Sequence, residues 1–284
     1  MTRTTGDIMS WRLGRVLTLA CSALLLLGGC ITIEQEVRPG SDPYRSLASS
    51  QRAALRQAWE ALRSGRHAEA EVAARQLIAA LPPPAAPSDG VTIRHPALSM
   101  AQVLLALALD GQGRSGEAEQ AYGAALHADL RNHRARFNLG NHCARLNRHA
   151  EAAVQFRETV RLAPRHLAAW LELAVAEANA RRFAEAEMAA RRLLELDRQS
   201  ADAHHVLGTV FLDQGMVAEA IPSLKSAIGL KPMRPEFHLN LARAYELVER
   251  KGEAIEEYRR FLELAPAGDP DRGNVQQLLQ RLGS

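Results

Sequence analysis

The chain has 284 residues, of which 47% are hydrophobic and 24% are charged, with a formal net charge of +3. Three arginines and one aspartate lie in residues 1–29, so residues 30–284 hold 32 basic and 31 acidic side chains. No block of basic residues of the kind that binds phosphates is present. The composition therefore excludes nucleic acid as a partner, despite an isoelectric point of about 9.0.

The first predicted element is a secretory signal peptide over residues 1–29. Two arginines precede an apolar run over residues 16–27, and two glycines follow it. A basic region, a short apolar stretch and small residues are typical of such a signal, and the run is too short to span a membrane comfortably. Met9 is an alternative start, because the residues before it add little to the signal.

The end of this segment, Leu-Gly-Gly-Cys over residues 27–30, resembles a bacterial lipobox. In that motif the cysteine, here Cys30, is diacylated, becomes the first residue and is acylated again. Cys21 fits the motif less well, and an ordinary cleaved signal or an uncleaved anchor are the alternatives. By resemblance, Ile31 is not the aspartate that retains lipoproteins at the inner membrane. We therefore expect a lipid anchor at Cys30, with palmitate, on the periplasmic face of a Gram-negative outer membrane.

The remainder of the chain divides by composition and period. Residues 30–50 are expected to form the lipidated cysteine and a polar tether, and residues 51–82 a first helix pair. Residues 83–98 are a linker whose prolines cannot lie inside a helix, so the first pair is continuous with, offset from or hinged to the rest. Residues 99–266 are predicted to form five repeats. Residues 267–284 are predicted to form a capping helix that covers the last apolar surface.

Six Glu-Ala steps give the chain a fixed period. After a first interval of 48 residues, the last four intervals are all 34 residues. The alanines of these steps are Ala70, Ala118, Ala152, Ala186, Ala220 and Ala254. A small residue precedes each alanine by twelve positions and an aliphatic residue follows it by eight. We therefore expect each alanine to be buried where two helices touch.

In these features the chain resembles the tetratricopeptide repeat family. The third copy carries the pattern closely, with Leu-Gly at 139–140, Ala-Glu-Ala at 150–152, Phe156 and Leu-Ala-Pro at 162–164. The resemblance covers about residues 51–266 in six copies. It implies an all-α fold, a right-handed superhelical solenoid of antiparallel helix pairs with a concave groove and a C-terminal capping helix.

Two copies depart from the family pattern. The first has Gln57 at the leucine position, and Ala61 and Ala74 where bulky residues are usual. The fourth has Arg181 where a turn glycine is expected, and Glu177 in place of an aromatic residue.

The resemblance places a binding surface on the first helix of each pair, which lines the groove. The predicted groove residues are Arg134, Phe137, Asn138, Asn141 and Arg145 in the third repeat, with Asn179 and Asn240 in later repeats. Asparagine amides offer both a donor and an acceptor, which suits an extended peptide backbone. We expect Asn138 and Asn141 to be exposed and to hold a protein or peptide segment. Phe137 stands where the family's carboxylate clamp needs a lysine, so recognition of a free C-terminus is not expected.

The charges of these helices predict a bipolar groove. Arginines occupy the third repeat, whereas the fifth and sixth carry Asp202, Asp213, Glu236 and Glu246. A charge-patterned partner would then bind in one direction. The alternative is a mutually neutralised, solvated face.

Residues that carry catalytic chemistry are scarce. There is no glycine-rich phosphate loop and no serine nucleophile elbow. Of the ten histidines, His142 and His149 could share a helix face, but no carboxylate or thiolate cluster joins them. We therefore predict a non-enzyme with no cofactor and no metal site. With Cys30 acylated, Cys143 is alone at a helix-core position, and an intramolecular disulfide is not expected.

Two classes of function follow. The first is a lipid-anchored periplasmic scaffold or adaptor that binds proteins in cell-envelope assembly, in a pilus or secretion apparatus or in peptidoglycan-hydrolase docking. This rests on similarity of architecture. The alternative is a chaperone-like carrier or subunit of an exopolysaccharide export system. Neighbouring genes for a pilus or hydrolase would favour the first class, and polymerase genes the second.

Overall fold

A computed structural model describes residues 47–82 and 95–283. The predicted signal peptide, Cys30, most of the predicted tether and residues 83–94 of the predicted linker lie outside the described residues. Those described form thirteen helices and no strand: α1 (Ser49–Arg63), α2 (His67–Ala80), α3 (Pro96–Gly111), α4 (Ser115–Ala128), α5 (His133–Arg145), α6 (His149–Leu162), α7 (Leu167–Asn179), α8 (Phe183–Leu196), α9 (Ala201–Asp213), α10 (Val217–Leu230), α11 (Pro235–Leu247), α12 (Lys251–Leu264) and α13 (Arg272–Leu282). The chain divides into two compact units, unit 1 (Met1–Ala169) and unit 2 (Trp170–Ser284).

Helices α1 to α12 form six antiparallel pairs, each joined by a short turn. One residue in every turn has positive φ: Gly65, Gly113, Asn147, Arg181, Gly215 and Glu249, with φ between 58° and 76°. These six residues keep the 48- and 34-residue intervals of the Glu-Ala steps. Arg181 therefore adopts the left-handed conformation that the family gives to glycine, at some cost in backbone strain. The predicted all-α fold class of helix pairs is confirmed.

The Glu-Ala steps have a physical explanation at the start of each second helix. The alanines are completely buried in all six copies, as predicted. The glutamate lies in the first helical turn, where the positive end of the helix dipole favours an anion. An arginine three residues earlier pairs with it in several repeats, as Arg114 does with Glu117 at 2.6 Å. Arg148 pairs with Glu151 and also with Glu119 of the preceding pair, at 2.8 Å.

Small residues in the first helices provide the close approach between paired helices. A Cβ placed on Gly140 would lie 2.5 Å from the ring of Phe156, and one on Gly208 would lie 2.5 Å from Leu224. Neither distance is sterically possible, so these two positions accept only glycine without repacking. The repeated small residues of the first helices therefore lie against repeated large side chains of the second helices.

The first helix pair packs continuously with the second pair in unit 1. Leu55 and Ala58 of α1, Leu77 of α2, Leu104 of α3 and Tyr122 of α4 belong to one buried cluster. Of the departures in the first copy, Ala61 and Ala74 are buried and Gln57 is exposed. The small alanines are therefore part of the core of this pair.

In unit 2, α13 covers the end of the last pair. Val275 is 1% exposed, and three leucines of the same helix pack against the cluster formed with α11 and α12. Arg272 donates to the carbonyl oxygens of Leu262 and Ala265, at 2.6 and 2.7 Å. These carbonyls belong to the C-terminal end of α12, so Arg272 satisfies acceptors that lack an intrahelical donor. Among the helices of the described ranges, none is long and apolar enough to cross a membrane.

Candidate binding groove

The predicted groove residues of α5 form a stripe along one side of that helix. We call Arg134, Asn138, Asn141 and Arg145 the α5 stripe. Asn138 and Arg134 are half-buried, and Arg145 is exposed. Asn141 is only 6% exposed, and its Oδ1 is buried without a hydrogen-bond partner. The expectation that Asn141 is exposed was therefore wrong, because neighbouring helices cover its side chain.

Phe137 lies in the core and not on the groove surface. It is 4% exposed, and its ring centroid lies 5.7 Å from that of Phe156 and 4.9 Å from that of His166. The prediction of Phe137 as a groove residue is corrected by this packing. An aromatic ring held between two other rings leaves almost no surface for a ligand.

Asn240 is also internal. Its side chain is fully buried, and its amide nitrogen donates to Nε2 of His205 at 2.7 Å. Arg243 donates to the amide oxygen at 3.4 Å. Both ends of the amide are therefore engaged, and Asn240 joins α11 to α9 rather than facing a partner. Asn179 is half-buried at the end of α7, in unit 2.

Arg145 is held by a buried carboxylate of the preceding repeat. Its guanidinium lies 2.6 Å from Oδ2 of Asp110, and Nδ1 of His142 lies 2.6 Å from Oδ1. Tyr122 donates to Oδ2 at 3.1 Å. Burial alone would raise the pKa of Asp110, but the hydrogen bond from His142 and the charge of Arg145 outweigh burial and lower it. The sequence pattern contained no signal for this network, because the three partners of Asp110 lie 12 to 35 positions after it.

Two of the four acidic groove residues of unit 2, Asp202 and Glu236, are paired with cations. Asp202 pairs with Lys231 at 2.8 Å and with Arg234 at 3.7 Å, and Arg234 also pairs with Glu236. Glu246 accepts a hydrogen bond from Tyr258 at 2.7 Å. Burial raises the pKa of Asp213. Asp202 and Glu236 are therefore neutralised by cations, as the alternative to a bipolar groove expects, whereas Glu246 is bound by a neutral hydroxyl.

A second stripe, on α1, was missed by sequence reasoning. It consists of Arg52, Arg56, Trp59 and Arg63, and each member lies 82 positions before a member of the α5 stripe. This α1 stripe spans an arc of about 60° on the helix. Its three arginines are exposed, and Trp59 is partly buried against the core of unit 1. The repeat register itself was the signal that could have found it.

In the order of the repeats, the first helix between α1 and α5 is α3, and its equivalent position is apolar. The position equivalent to Trp59 and Asn141 is Leu107, which is partly buried against the core. The indole Nε1 of Trp59 is buried and has no hydrogen-bond partner. Unit 1 therefore presents polar or charged stripes on α1 and α5 with apolar side chains between them. Among the described residues, no group of three or more metal-ligating side chains is found.

Comparisons with known proteins agree with this architecture. A family model described as tetratricopeptide repeat matches residues 103–156, 152–201 and 205–269. A comparison with curated proteins finds no match. The first helix pair precedes the matched residues.

Solved structures of low identity share the fold. One described as the functional characterization of Pseudomonas aeruginosa pilF has a TM-score of 0.63 and 18% identity, and covers 81% of this chain and 97% of that chain. A tetratricopeptide repeat protein from Parabacteroides merdae has a TM-score of 0.60 and 14% identity, with 84% and 100% covered. YrrB, described as a TPR protein with an unusual peptide-binding site, has a TM-score of 0.53 and 18% identity, with 64% and 92% covered.

Proposed function

Because the chain belongs to the tetratricopeptide repeat family, a class of scaffolds for protein interaction, we propose that it is a lipid-anchored adaptor of the bacterial cell envelope. The first-helix surfaces hold a segment of a partner protein. Acylated Cys30 attaches the adaptor to the periplasmic face of the outer membrane of a Gram-negative cell. Scaffolds of this family are typically not enzymes, and the adaptor acts by holding its partners.

The repeat register carries the proposal. Helices α1, α3 and α5 present equivalent positions at 48- and 34-residue intervals, and these positions hold Trp59, Leu107 and Asn141. Stacked helices lie about 8–10 Å apart, so three of them offer about 20 Å to an extended chain. At about 3.3 Å per residue this matches a segment of roughly six residues. Asn138 of the α5 stripe is half-buried, and its amide offers a donor and an acceptor to a peptide backbone.

The system that the adaptor serves is cell-envelope assembly, in pilus or secretion apparatus or in peptidoglycan-hydrolase docking. The sequence Leu-Gly-Gly-Cys at residues 27–30 supports the anchored location. The structural likeness to Pseudomonas aeruginosa pilF supports a pilus role as the first to test. The peptide-binding site named for YrrB supports recognition of a segment rather than of a folded domain.

Capture of partners from membranes tests this function. The full chain, acylated in its own cell, is cross-linked and purified from solubilised membranes, and the bound proteins are identified. We expect an envelope protein that is lost or weakened with Asn138→Ala. The matched control is Gln120→Ala, which removes an exposed amide from a second helix, α4. Equal recovery with wild type, Asn138→Ala and Gln120→Ala would remove the partner from this surface.

A further inference from the structure

The α1 stripe carries positive charge that the described part of the protein does not compensate. Arg52, Arg56 and Arg63 are exposed, and no acidic partner is found for them among the residues that the structure describes. The one acidic residue of α1, Glu60, is exposed and makes no ion pair with them. Three arginines on one 60° arc therefore face solvent together.

This arrangement is unfavourable for α1 itself. Arg52 and Arg56 are four positions apart on one helix face, a spacing at which like charges repel each other. Elsewhere on the first helices the structure pairs such charges: Arg145 with Asp110, and Asp202 with Lys231. The arginines of the α1 stripe lack ion pairs of the kind that Arg145 and Asp202 have, and such an uncompensated local cost is typical of a functional surface.

Trp59 gives the α1 stripe an apolar centre. Along the helix axis it lies between Arg56 and Arg63, at one edge of the arc, and it is partly exposed. Tryptophan and arginine are the residue types that dominate binding energy at protein interfaces. A partner that approaches here meets an indole ring flanked by guanidinium groups, and Leu107 of α3 in the next register position.

We propose that the α1 stripe docks an acidic segment of a partner protein, with one apolar side chain of the segment against Trp59. The proposal rests on the adaptor function above and names the chemistry of its partner. Carboxylates pair with the three arginines, and a basic segment is rejected by like-charge repulsion. The α1 stripe occupies the same repeat positions as the α5 stripe. The arginines therefore lie on the same side of their helix as the proposed peptide-binding residues of α3 and α5, which favours a peptide over a lipid surface.

Fluorescence anisotropy of labelled peptides on the full chain tests the proposal. The probe is a peptide of about ten residues with glutamates around a single tyrosine, long enough to cross the three first helices. Its control peptide has glutamine at every glutamate. We expect binding of the acidic peptide alone, weakening as salt rises through about 0.15 M. Trp59→Phe should retain binding, and Trp59→Ala should reduce it.

Matched arginine variants separate the stripe from overall charge. The stripe variant is Arg52→Gln/Arg56→Gln/Arg63→Gln, and the control is Arg131→Gln/Arg165→Gln/Arg198→Gln, in exposed loops between repeats. Both remove three positive charges. We expect the stripe variant to bind the acidic peptide about tenfold more weakly and the control variant to bind as wild type does. Thermal melts establish that each variant is folded.

Three results would overturn the docking proposal. The first is equal binding of the acidic and glutamine peptides, and the second is an equal loss in both arginine variants. The third is arginine-dependent binding of phosphatidylglycerol vesicles without binding of the acidic peptide, which would assign the stripe to a membrane. Capture of the native partner that depends on Asn138 but not on the stripe would retain the adaptor function and reject this proposal. Capture of the native partner that depends on neither Asn138 nor the α1 stripe would reject both the adaptor function at this surface and the docking proposal.

Discussion

His238 of α11 is joined to Glu257 of α12 by a 2.6 Å contact between Nδ1 and Oε2. Its other ring nitrogen, Nε2, lies 2.8 Å from the carbonyl oxygen of Pro232. A carboxylate and a carbonyl only accept hydrogen bonds, so this pair of partners favours the protonated imidazole, which donates from both ring nitrogens. Burial and the charge of Arg260 lower the pKa of His238, but the bonds to Glu257 and Pro232 outweigh them and raise it.

The pH dependence of stability should follow from this contact. A folded-state pKa above the unfolded value of about 6.5 means that charged His238 stabilises the fold fully at pH below 6.5. That contribution is lost as pH rises through the folded-state pKa. The unfolding free energy of His238→Gln should therefore differ most from wild type near pH 5.5 and least near pH 9, in denaturant titrations. The exposed His127→Gln should match wild type throughout, and a pH-independent difference for His238→Gln would contradict the prediction.

His205 should act with the opposite sign. Burial lowers its pKa to about 4, and its neutral Nε2 accepts from Asn240. Its contribution is present above the unfolded pKa of about 6.5 and is lost as pH falls toward 4. The loss of stability between pH 7 and pH 4.5 should thus be smaller in His205→Gln than in wild type. His204→Gln, its neighbour on the same helix, is the control, and equal pH slopes for all three proteins would show that His205 titrates normally when folded.

Ala152 should not tolerate a larger side chain. It is fully buried at the contact between α5 and α6, beside the close approach of Gly140 and Phe156. Ala152→Leu should lower the unfolding free energy by about 1–3 kcal/mol through overpacking. Ala150→Leu, two positions earlier and exposed, adds the same atoms without that contact. Equal melting temperatures of the two variants would mean that the helix contact is not as tight as the structure describes.

Cys30 should carry the lipid. Metabolic labelling with palmitate should mark the wild-type chain, and Cys30→Ala should lose the label and accumulate as an unprocessed precursor. Cys21→Ala, in the same segment, should keep both processing and label. A mature N-terminus at a residue other than Cys30 would remove the lipid anchor from the proposed function.

The repeat period was sufficient to predict which residues pack between helices. Each Glu-Ala step marks the start of a second helix, and the small residue twelve positions before the alanine marks the close approach on the first helix, as Gly140 does against Phe156. Both signals are local in each repeat, because an alanine or a glycine is needed wherever two helix axes approach closely. The burial of Ala152 could therefore be inferred without coordinates, and it is confirmed.

Departures from the family pattern were harder to interpret from one sequence. The alanines of the first copy are core residues, and Arg181 occupies the same left-handed turn conformation as the glycines of other repeats. In both cases the neighbouring elements determine the outcome. A turn held at both ends by packed helices imposes its backbone angles on the residue that it contains.

The sequence by itself determined the fold class, the register and the helix faces of this protein, because these follow from a periodic pattern that every repeat restates. Only the tertiary structure decided which residues of those faces meet solvent. Phe137 and Asn240 have groove positions in the sequence but are buried by side chains from other helices. Arg145 is paired with Asp110, whereas the arginines of α1 have no such partner among the described residues. Burial and charge pairing depend on residues tens of positions away, which a helical period does not encode.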